Sequence, residues 1–101
     1  MEFDFEQIAG FDWDVGNLTK SLLKHGVTAS EAEQIFYNQP LLIWDDISHS
    51  AGERRFQALG KTNEGRLLFA AFTLRAEGTL LRLISVRPMN VREKARYGQE
   101  A

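Results

Sequence analysis

The residues of this sequence best suited to chemistry are the arginines of its second half. Residues 51–101 contain eight Arg and two Lys against five Asp or Glu, a net charge of +5. A guanidinium group binds phosphate through two parallel N–H groups and also stacks on nucleobases. The arginines therefore favour contact with a polyanion such as nucleic acid, made by the strands and the last helix that carry them: Arg55, Arg66, Arg75, Arg82, Arg87, Arg92 and Arg96.

The first half of the chain has the opposite charge. Residues 1–50 contain nine Asp or Glu against two Lys, a net charge of −7, and the whole chain carries −2. This acidity argues against nonspecific nucleic-acid binding through a uniformly basic surface. Arginines on exposed strands can also serve only to keep sheet edges soluble. Trp13 and Trp44 are expected to anchor a core or an interface, with base stacking as the less favoured alternative.

Proton transfer has few candidate groups. The sequence contains two histidines, His25 and His49. His25 follows Lys24 at the end of a predicted helix, where positive charge is favoured by the helix dipole. His49 follows two aspartates and precedes Glu53, a group that could hold a metal ion or present His49 as a proton donor. Its spacing matches no ligand motif, so a solvated loop is the favoured interpretation.

Several functional classes are excluded by composition. The absence of cysteine excludes disulfides, thiolate zinc sites, iron–sulfur clusters and cysteine nucleophiles. There is no Walker loop, dinucleotide glycine pattern, Gly-x-Ser-x-Gly or His-Glu-x-x-His. No apolar run is long enough to cross a membrane, and the acidic start is wrong for a signal peptide. We therefore expect a soluble cytoplasmic protein.

The chain length predicts one domain over residues 1–101, with residues 1–10 as a loose start. A short strand at 11–14 is followed by a helix from Asp14 to His25, whose apolar stripe is Val15, Leu18 and Leu22. A second helix starts at Thr28, where Thr28 and Glu31 fit a capping box, and ends before Pro40. Strands follow at 41–45, 54–61, 66–75 and 80–88, and Asn90 caps a last helix that runs from Val91 to about Gly98.

Short turns between consecutive strands predict an antiparallel meander, and therefore an α+β domain with helices packed on the sheet. Strict alternation along the last strand places Arg82 and Arg87 on opposite faces unless a bulge intervenes, so we expect them not to share one site. Arg87 ends its strand near the cap of the last helix. It forms either an anion site there or an ion pair with Glu93.

An ordered set of short motifs resembles the BrnT family of type II toxins. The resemblance runs from residue 11 to about 97, and no single motif is specific by itself. The motifs are Phe11-x-Trp13-Asp14, Lys24-His25-Gly26-Val27, His49-Ser50-x-Gly52-Glu53-x-Arg55-Phe56, Leu59-Gly60-x-Thr62-x-x-Gly65-Arg66-Leu67-Leu68, Thr73-x-Arg75 and Arg82-x-Ile84-Ser85-x-Arg87, with Glu93 to Tyr97 in the last helix.

The resemblance implies a RelE-like fold and a ribonuclease that inhibits translation and growth. Its partner would be a BrnA-type antitoxin, a dimeric ribbon-helix-helix protein through which the complex binds operator DNA. RNA supplies its own 2′-OH nucleophile, so neither a protein nucleophile nor a metal or other cofactor is required. The candidate catalytic residues are Arg66, Arg82 and Arg87 for the phosphate, with His25, Lys24 and Glu53 for proton transfer. The candidate RNA-binding residues are Arg55, Arg75, Arg92 and His49.

Two alternatives remain open at this point. The chain could be a non-catalytic module that binds a DNA-binding antitoxin and modulates operon repression, in which case its acidic first half would meet a basic partner. A weaker alternative is a small metal-dependent hydrolase built on the His49 loop.

Overall fold

The secondary structure follows the predicted order. A computed structural model of the chain describes residues 5–47 and 52–100. A 3₁₀ turn at Phe5–Gln7 precedes the regular elements, which are β1 (Gly10–Trp13), α1 (Val15–His25), α2 (Ala29–Gln34), β2 (Leu42–Asp45), β3 (Arg55–Lys61), β4 (Leu67–Arg75), β5 (Leu80–Pro88) and α3 (Val91–Glu100). Within the described part of the predicted loose segment, Ile8 packs on the core and the Ala9 N–H donates to the Thr79 carbonyl at 2.7 Å.

The five strands form one sheet in the order β1-β5-β4-β3-β2. Strands β2 to β5 are the antiparallel meander that the short turns predict. Strand β1 lies parallel to β5 and pairs only with its first half, from Gly10 opposite Leu80 to Trp13 opposite Leu83. No local pattern predicts this pairing, because it joins the two ends of the chain.

The capping residues of α1 and α2 lie where the sequence predicts them. Asp14 accepts from the Asn17 N–H at 3.0 Å, and Gly26 ends α1 in the left-handed conformation with φ of 64°. The Thr28 and Glu31 capping box is present in full. These local caps fix where α1 and α2 begin and where α1 ends.

The sheet packs on both of its faces. On the face toward α2, Phe72 is fully buried, lies stacked on Phe56 at 5.4 Å and meets the edge of Phe36 at 5.3 Å between ring centroids. The opposite face, which we call the α3 face, buries Phe69 and Tyr97 together with Leu59 and Met89. The Tyr97 hydroxyl donates to the Pro40 carbonyl at 2.6 Å and fixes α3 on this face.

The predicted apolar stripe of α1 is wrong at Val15 and Leu22, whereas Leu18 is half-buried. Val15 is 76% exposed and Leu22 49% exposed, and the neighbouring Leu23 is 80% exposed. Because β1 ends at Trp13, α1 lies beside the part of β5 that β1 leaves unpaired. The helix turns Ser21 inward there, and the Ser21 hydroxyl accepts from the Val86 N–H at 3.4 Å. Among the described residues, no helix is long and apolar enough to cross a membrane.

A bulge in β5 overturns the expected separation of two arginines. Ser85 pairs with Ala71 and Leu83 with Phe72, so β5 contains one extra residue between them. Arg82 consequently pairs with Thr73 and Arg87 with Phe69, which share a face because they are four residues apart on β4. Arg82 and Arg87 therefore lie on the same face of the sheet, as a bulge permits.

Candidate active site

A pocket of about 240 Å³ lies between α1 and the bulge of β5. We call it the α1 pocket, and its lining residues are Asn17, Lys20, Ser21, Lys24, His25, Ile84 and Ser85. The α1 members recur every three or four positions, so one face of the helix presents them all. Lys24 and His25 were predicted site residues, whereas Lys20 and Ser85 were missed. The helical spacing of Asn17, Lys20 and Lys24 is the signal that could have found Lys20.

Two lysines and a histidine supply the basic side chains of the α1 pocket. Within residues 5–47 and 52–100, no carboxylate forms an ion pair with Lys20, Lys24 or His25. Cationic side chains that converge on one cavity without carboxylates favour a bound anion there. The geometry therefore suits a phosphate group.

Ser85 connects the α1 pocket with the α3 face. Its partner Ala71 lies on β4 midway between Phe69 and Thr73, so Ser85 shares a face with Arg82 and Arg87. At roughly 3.3 Å per residue, Ser85 is about 10 Å from Arg82 and about 7 Å from Arg87 along the strand. Three groups that can bind phosphate oxygens are therefore aligned along one strand.

Arg82 is already compensated by carboxylates. Its guanidinium lies 3.3 Å from Asp14 and 3.9 Å from Asp12, and its side chain is 26% exposed. Arg55 on β3 lies directly across the sheet from Arg82 on β5, because Arg55 and Arg82 both pair with Thr73 on the strand between them. Arg82 thus links β1 and the first turn of α1 to β5. Because Asp12 and Asp14 already balance its charge, Arg82 binds an external anion more weakly than an unpaired cation would.

Arg66 holds the C-terminal turn of α1. Its guanidinium donates to the His25 carbonyl at 3.1 Å and the Gly26 carbonyl at 3.0 Å, and it lies 3.1 Å from Glu31. The Thr28 N–H lowers the pKa of the Glu31 carboxyl against the effect of burial, and Arg66 lowers it further. The structure places Arg66 on the backbone of His25, where it positions that residue without lining the pocket.

Arg87 forms the ion pair that the sequence left open. Its two terminal nitrogens donate to Glu93 at 2.7 and 2.9 Å, and its guanidinium lies 4.1 Å from the centroid of the Phe69 ring. Burial alone raises the pKa of the Glu93 carboxyl, but hydrogen bonds from Arg87 and the Asn90 N–H outweigh burial, so the pKa lies below its ordinary value. Glu93 therefore occupies the place that an external anion would take.

The lowered pKa of Glu93 makes this pair a source of stability that acid removes. A carboxyl whose pKa falls on folding stabilises the protein above its unfolded pKa of about 4.3, and that stability is lost as pH falls through the folded value. We expect the Glu93→Gln variant to be about 1–3 kcal/mol less stable than wild type at pH 7, with the difference shrinking below about pH 4. Urea unfolding between pH 3 and 7 measures this.

The matched control is Glu100→Gln, which makes the same chemical change at an exposed ion pair of the same helix. It should alter the free energy of unfolding by less than about 0.5 kcal/mol. A constant difference between Glu93→Gln and wild type across this pH range would contradict the expectation.

Three further predicted residues, Glu53, Arg75 and Arg92, do not line the α1 pocket. Arg75 and Glu53 pair with each other at 3.2 Å on an exposed surface. Arg92 lines a different pocket, beside Trp44. His49 lies outside the described residues, and with it the proposed metal loop. Within the described part of the chain, no three His, Cys, Asp or Glu side chains form a cluster able to hold a metal ion.

The comparisons with known proteins agree with this fold. Residues 13–93 match the sequence model of a family described as "Ribonuclease toxin, BrnT, of type II toxin-antitoxin system". The 1.1 Å crystal structure of the Brucella abortus ribonuclease toxin BrnT is similar, with a TM-score of 0.61 and 19% identity, over 80% of this chain and 96% of that chain. At this identity the similarity establishes the fold. No curated protein gives a significant match.

An α+β domain that matches this family over most of its length is a toxin of the type II toxin–antitoxin class. Toxins of this family are described as ribonucleases. The chain belongs to the BrnT family. The family resemblance and the α+β fold that the sequence predicted are thereby confirmed.

Proposed function

We propose that this chain is a metal-independent endoribonuclease that cleaves RNA at the α1 pocket and thereby inhibits translation and growth. The observation that carries the proposal is the cluster of Lys20, Lys24 and His25, which line one pocket without carboxylate partners among the described residues. RNA is the proposed substrate because the chain belongs to a family of ribonuclease toxins.

The chemistry requires only groups that the α1 pocket contains. The His25 imidazole accepts the proton of the 2′-OH while the 2′-oxygen forms a bond to phosphorus. The bond from phosphorus to the 5′-oxygen breaks, and that oxygen takes a proton from the Lys24 ammonium or from water. Lys20 stabilises the additional negative charge on the phosphate. The products are a 2′,3′-cyclic phosphate and a free 5′-OH.

The arginines of β5 have a supporting role in this mechanism. Arg82 and Arg87 flank Ser85 on the α3 face, where they attract the phosphates on either side of the cleaved bond. Both already pair with carboxylates, so they steer the RNA backbone more than they act on the reacting atoms. Arg55 adds positive charge to the same face, while Arg75 and Glu53 lie farther from the pocket.

Cleavage of bulk RNA tests the proposal. We expect the wild-type chain to cut RNA equally in the presence and absence of EDTA, and Lys24→Ala to cut it about 10²-fold more slowly. Lys94→Ala is the matched control, since it removes the same charge from an exposed position of α3. Arg87→Ala is a poorer test, because it leaves the Glu93 carboxylate half-buried and unpaired. Lack of cleavage by the folded wild type would overturn the proposal.

We also propose that the antitoxin of this system is a BrnA-like ribbon-helix-helix protein that meets the chain in the cytoplasm and carries it to operator DNA. Type II toxins are neutralised by a protein partner, and the exposed Val15, Leu22 and Leu23 form an apolar surface on α1 suited to one. This surface is the observation that favours the second candidate function, a non-catalytic antitoxin-binding module.

A charge placed on the apolar surface of α1 should weaken the complex. We expect Leu23→Asp to lower antitoxin affinity at least 10-fold, because an aspartate would be buried without a partner at the interface. Val91→Asp is the control, since Val91 is 82% exposed on another helix. Calorimetric titration measures both affinities. If Leu23→Asp and Val91→Asp bound the antitoxin with equal affinity, the result would contradict an antitoxin interface on α1.

A further inference from the structure

A second pocket lies on the α3 face, between α3 and strands β2 and β3. It has a volume of about 390 Å³ and is called here the Trp44 pocket. We propose that it binds a nucleobase of single-stranded RNA and so selects where the chain cuts. This inference deepens the proposed function and rests on RNA as the substrate. The residues that carry it are Trp44, Gln57, Asn90, Arg92 and Arg96.

Stacking is provided by an indole and a guanidinium. The Arg96 guanidinium carbon lies over the Trp44 ring, 4.1 Å from its centroid. Flat aromatic and guanidinium surfaces are the surfaces on which unpaired RNA bases stack. The pair of Trp44 and Arg96 therefore offers a stacking surface that accepts any of the four bases.

Polar groups at the pocket can distinguish one base from another. The Gln57 amide nitrogen donates to Asp46 at 3.1 Å, and this contact fixes the orientation of the amide. Asn90 lies at the mouth, held by its hydrogen bond with the Glu93 N–H at 2.8 Å. Side-chain amides at fixed positions are the groups that read the hydrogen-bonding edge of an unpaired base.

Charge favours a nucleotide over an apolar ligand. Arg92 lines the pocket and forms no ion pair within residues 5–47 and 52–100. The acidic group of the pocket, Glu93, is neutralised by its two hydrogen bonds with Arg87. The mouth consequently presents net positive charge beside the stacking surface, as expected for a base with its phosphate.

The Trp44 pocket continues the proposed path of the RNA. Arg87 on β5 is in register with Phe69 on β4, which pairs with Leu59 on β3, a residue that lines the pocket. At about 4.8 Å per strand, the pocket lies roughly 10–14 Å from β5. A short single strand with one phosphate at the α1 pocket can therefore cross Arg87 and place a neighbouring base beside Trp44.

Tryptophan fluorescence tests the inference without any need for cleavage. The Trp13→Phe background leaves Trp44 as the reporter, and the probes are the four ribonucleoside monophosphates and short single-stranded oligoribonucleotides. We expect saturable quenching with unequal affinities among the bases. Trp44→Leu should weaken oligonucleotide affinity about 5- to 150-fold, whereas Trp44→Phe should retain most of it. The Trp44→Leu affinity is read from oligonucleotide polarisation, since that variant has lost the reporter.

A charge variant gives an independent measurement on the same complex. Arg92→Ala should reduce the slope of log affinity against log salt by about 0.7, the value for one phosphate contact with a single strand, while Lys94→Ala on the same helix should not. Gln57→Ala should reduce the differences among the four bases.

The outcomes separate this inference from the proposed function. RNA cleavage together with wild-type binding by Trp44→Leu and Arg92→Ala would overturn the base site and leave the ribonuclease standing. Base-dependent quenching without cleavage would support the site and overturn the ribonuclease. Contact of Trp44 with the antitoxin and not with RNA would also overturn the inference, because the pocket would then be a protein interface.

Discussion

His25→Ala should cleave RNA about 10²- to 10⁴-fold more slowly than the wild-type chain, the loss expected when a general base is removed. His25 is the imidazole that the structure places in the α1 pocket, beside Lys20 and Lys24. Initial rates on a short fluorescent oligoribonucleotide measure the effect. The fold should survive, because Arg66 binds the carbonyl oxygen of His25 and not its ring.

Chemical rescue distinguishes catalysis from packing in this variant. Added imidazole should restore part of the lost activity, since it can enter the space left by the ring and accept the same proton. Urea unfolding should give the same midpoint for His25→Ala and wild type within experimental error. A wild-type rate in the variant, or a loss of rate that follows a loss of stability, would remove His25 from the mechanism.

Gly60→Ala should destabilise the chain by about 3 kcal/mol, which corresponds to a drop of roughly 12–24 °C in Tm. A Cβ at Gly60 would lie 2.9 Å from the Ile35 Cβ and 3.1 Å from the Ile35 carbonyl oxygen. Neither atom is the end of a flexible side chain, so the whole C-terminal turn of α2 would have to move away from β3. Thermal and urea unfolding measure the loss.

Gly98→Ala is the matched control for this substitution. Gly98 lies in α3, where an added Cβ would meet no atom within 4 Å apart from its chain neighbours and the backbone of its own helix, and alanine favours the helix by up to about 1 kcal/mol over glycine. The same change is therefore expected to raise Tm at Gly98 and to lower it at Gly60. A neutral result at Gly60 would mean that α2 adjusts its position more freely than its packing indicates.

The local part of the fold could be predicted from the sequence. Asp14, Gly26, Thr28 and Asn90 each hold the helix end that their residue type and spacing indicate, because capping uses atoms only a few residues apart. The antiparallel meander follows in the same way from short turns. Only the burial of Val15 and Leu22 in the first helix was misjudged, because these exposed apolar residues have the spacing of a buried stripe.

The arrangement of the candidate site depends on contacts that the sequence does not encode locally. A bulge brings Arg82 and Arg87 to one face, and no glycine or proline between these two residues indicates it in the sequence. Ser85 enters the α1 pocket only because α1 lies beside β5. The sequence places Arg87 near Glu93 but does not show whether Arg87 pairs with Glu93 or binds an external anion. The structure shows the ion pair, with 2.7 Å between an Arg87 nitrogen and a Glu93 carboxylate oxygen.

The parallel pairing of β1 with β5 delays the appearance of the α1 pocket during synthesis. The ribosome releases β1 and α1 before β2, β3 and β4, and their partner strand β5 emerges only after those segments. Pairings between distant segments form late, because the intervening chain must be ordered first. A nascent chain that ends before β5 therefore carries Lys20, Lys24 and His25 without the wall supplied by Ile84 and Ser85. The producing ribosome is exposed to the complete pocket only after β5 has emerged.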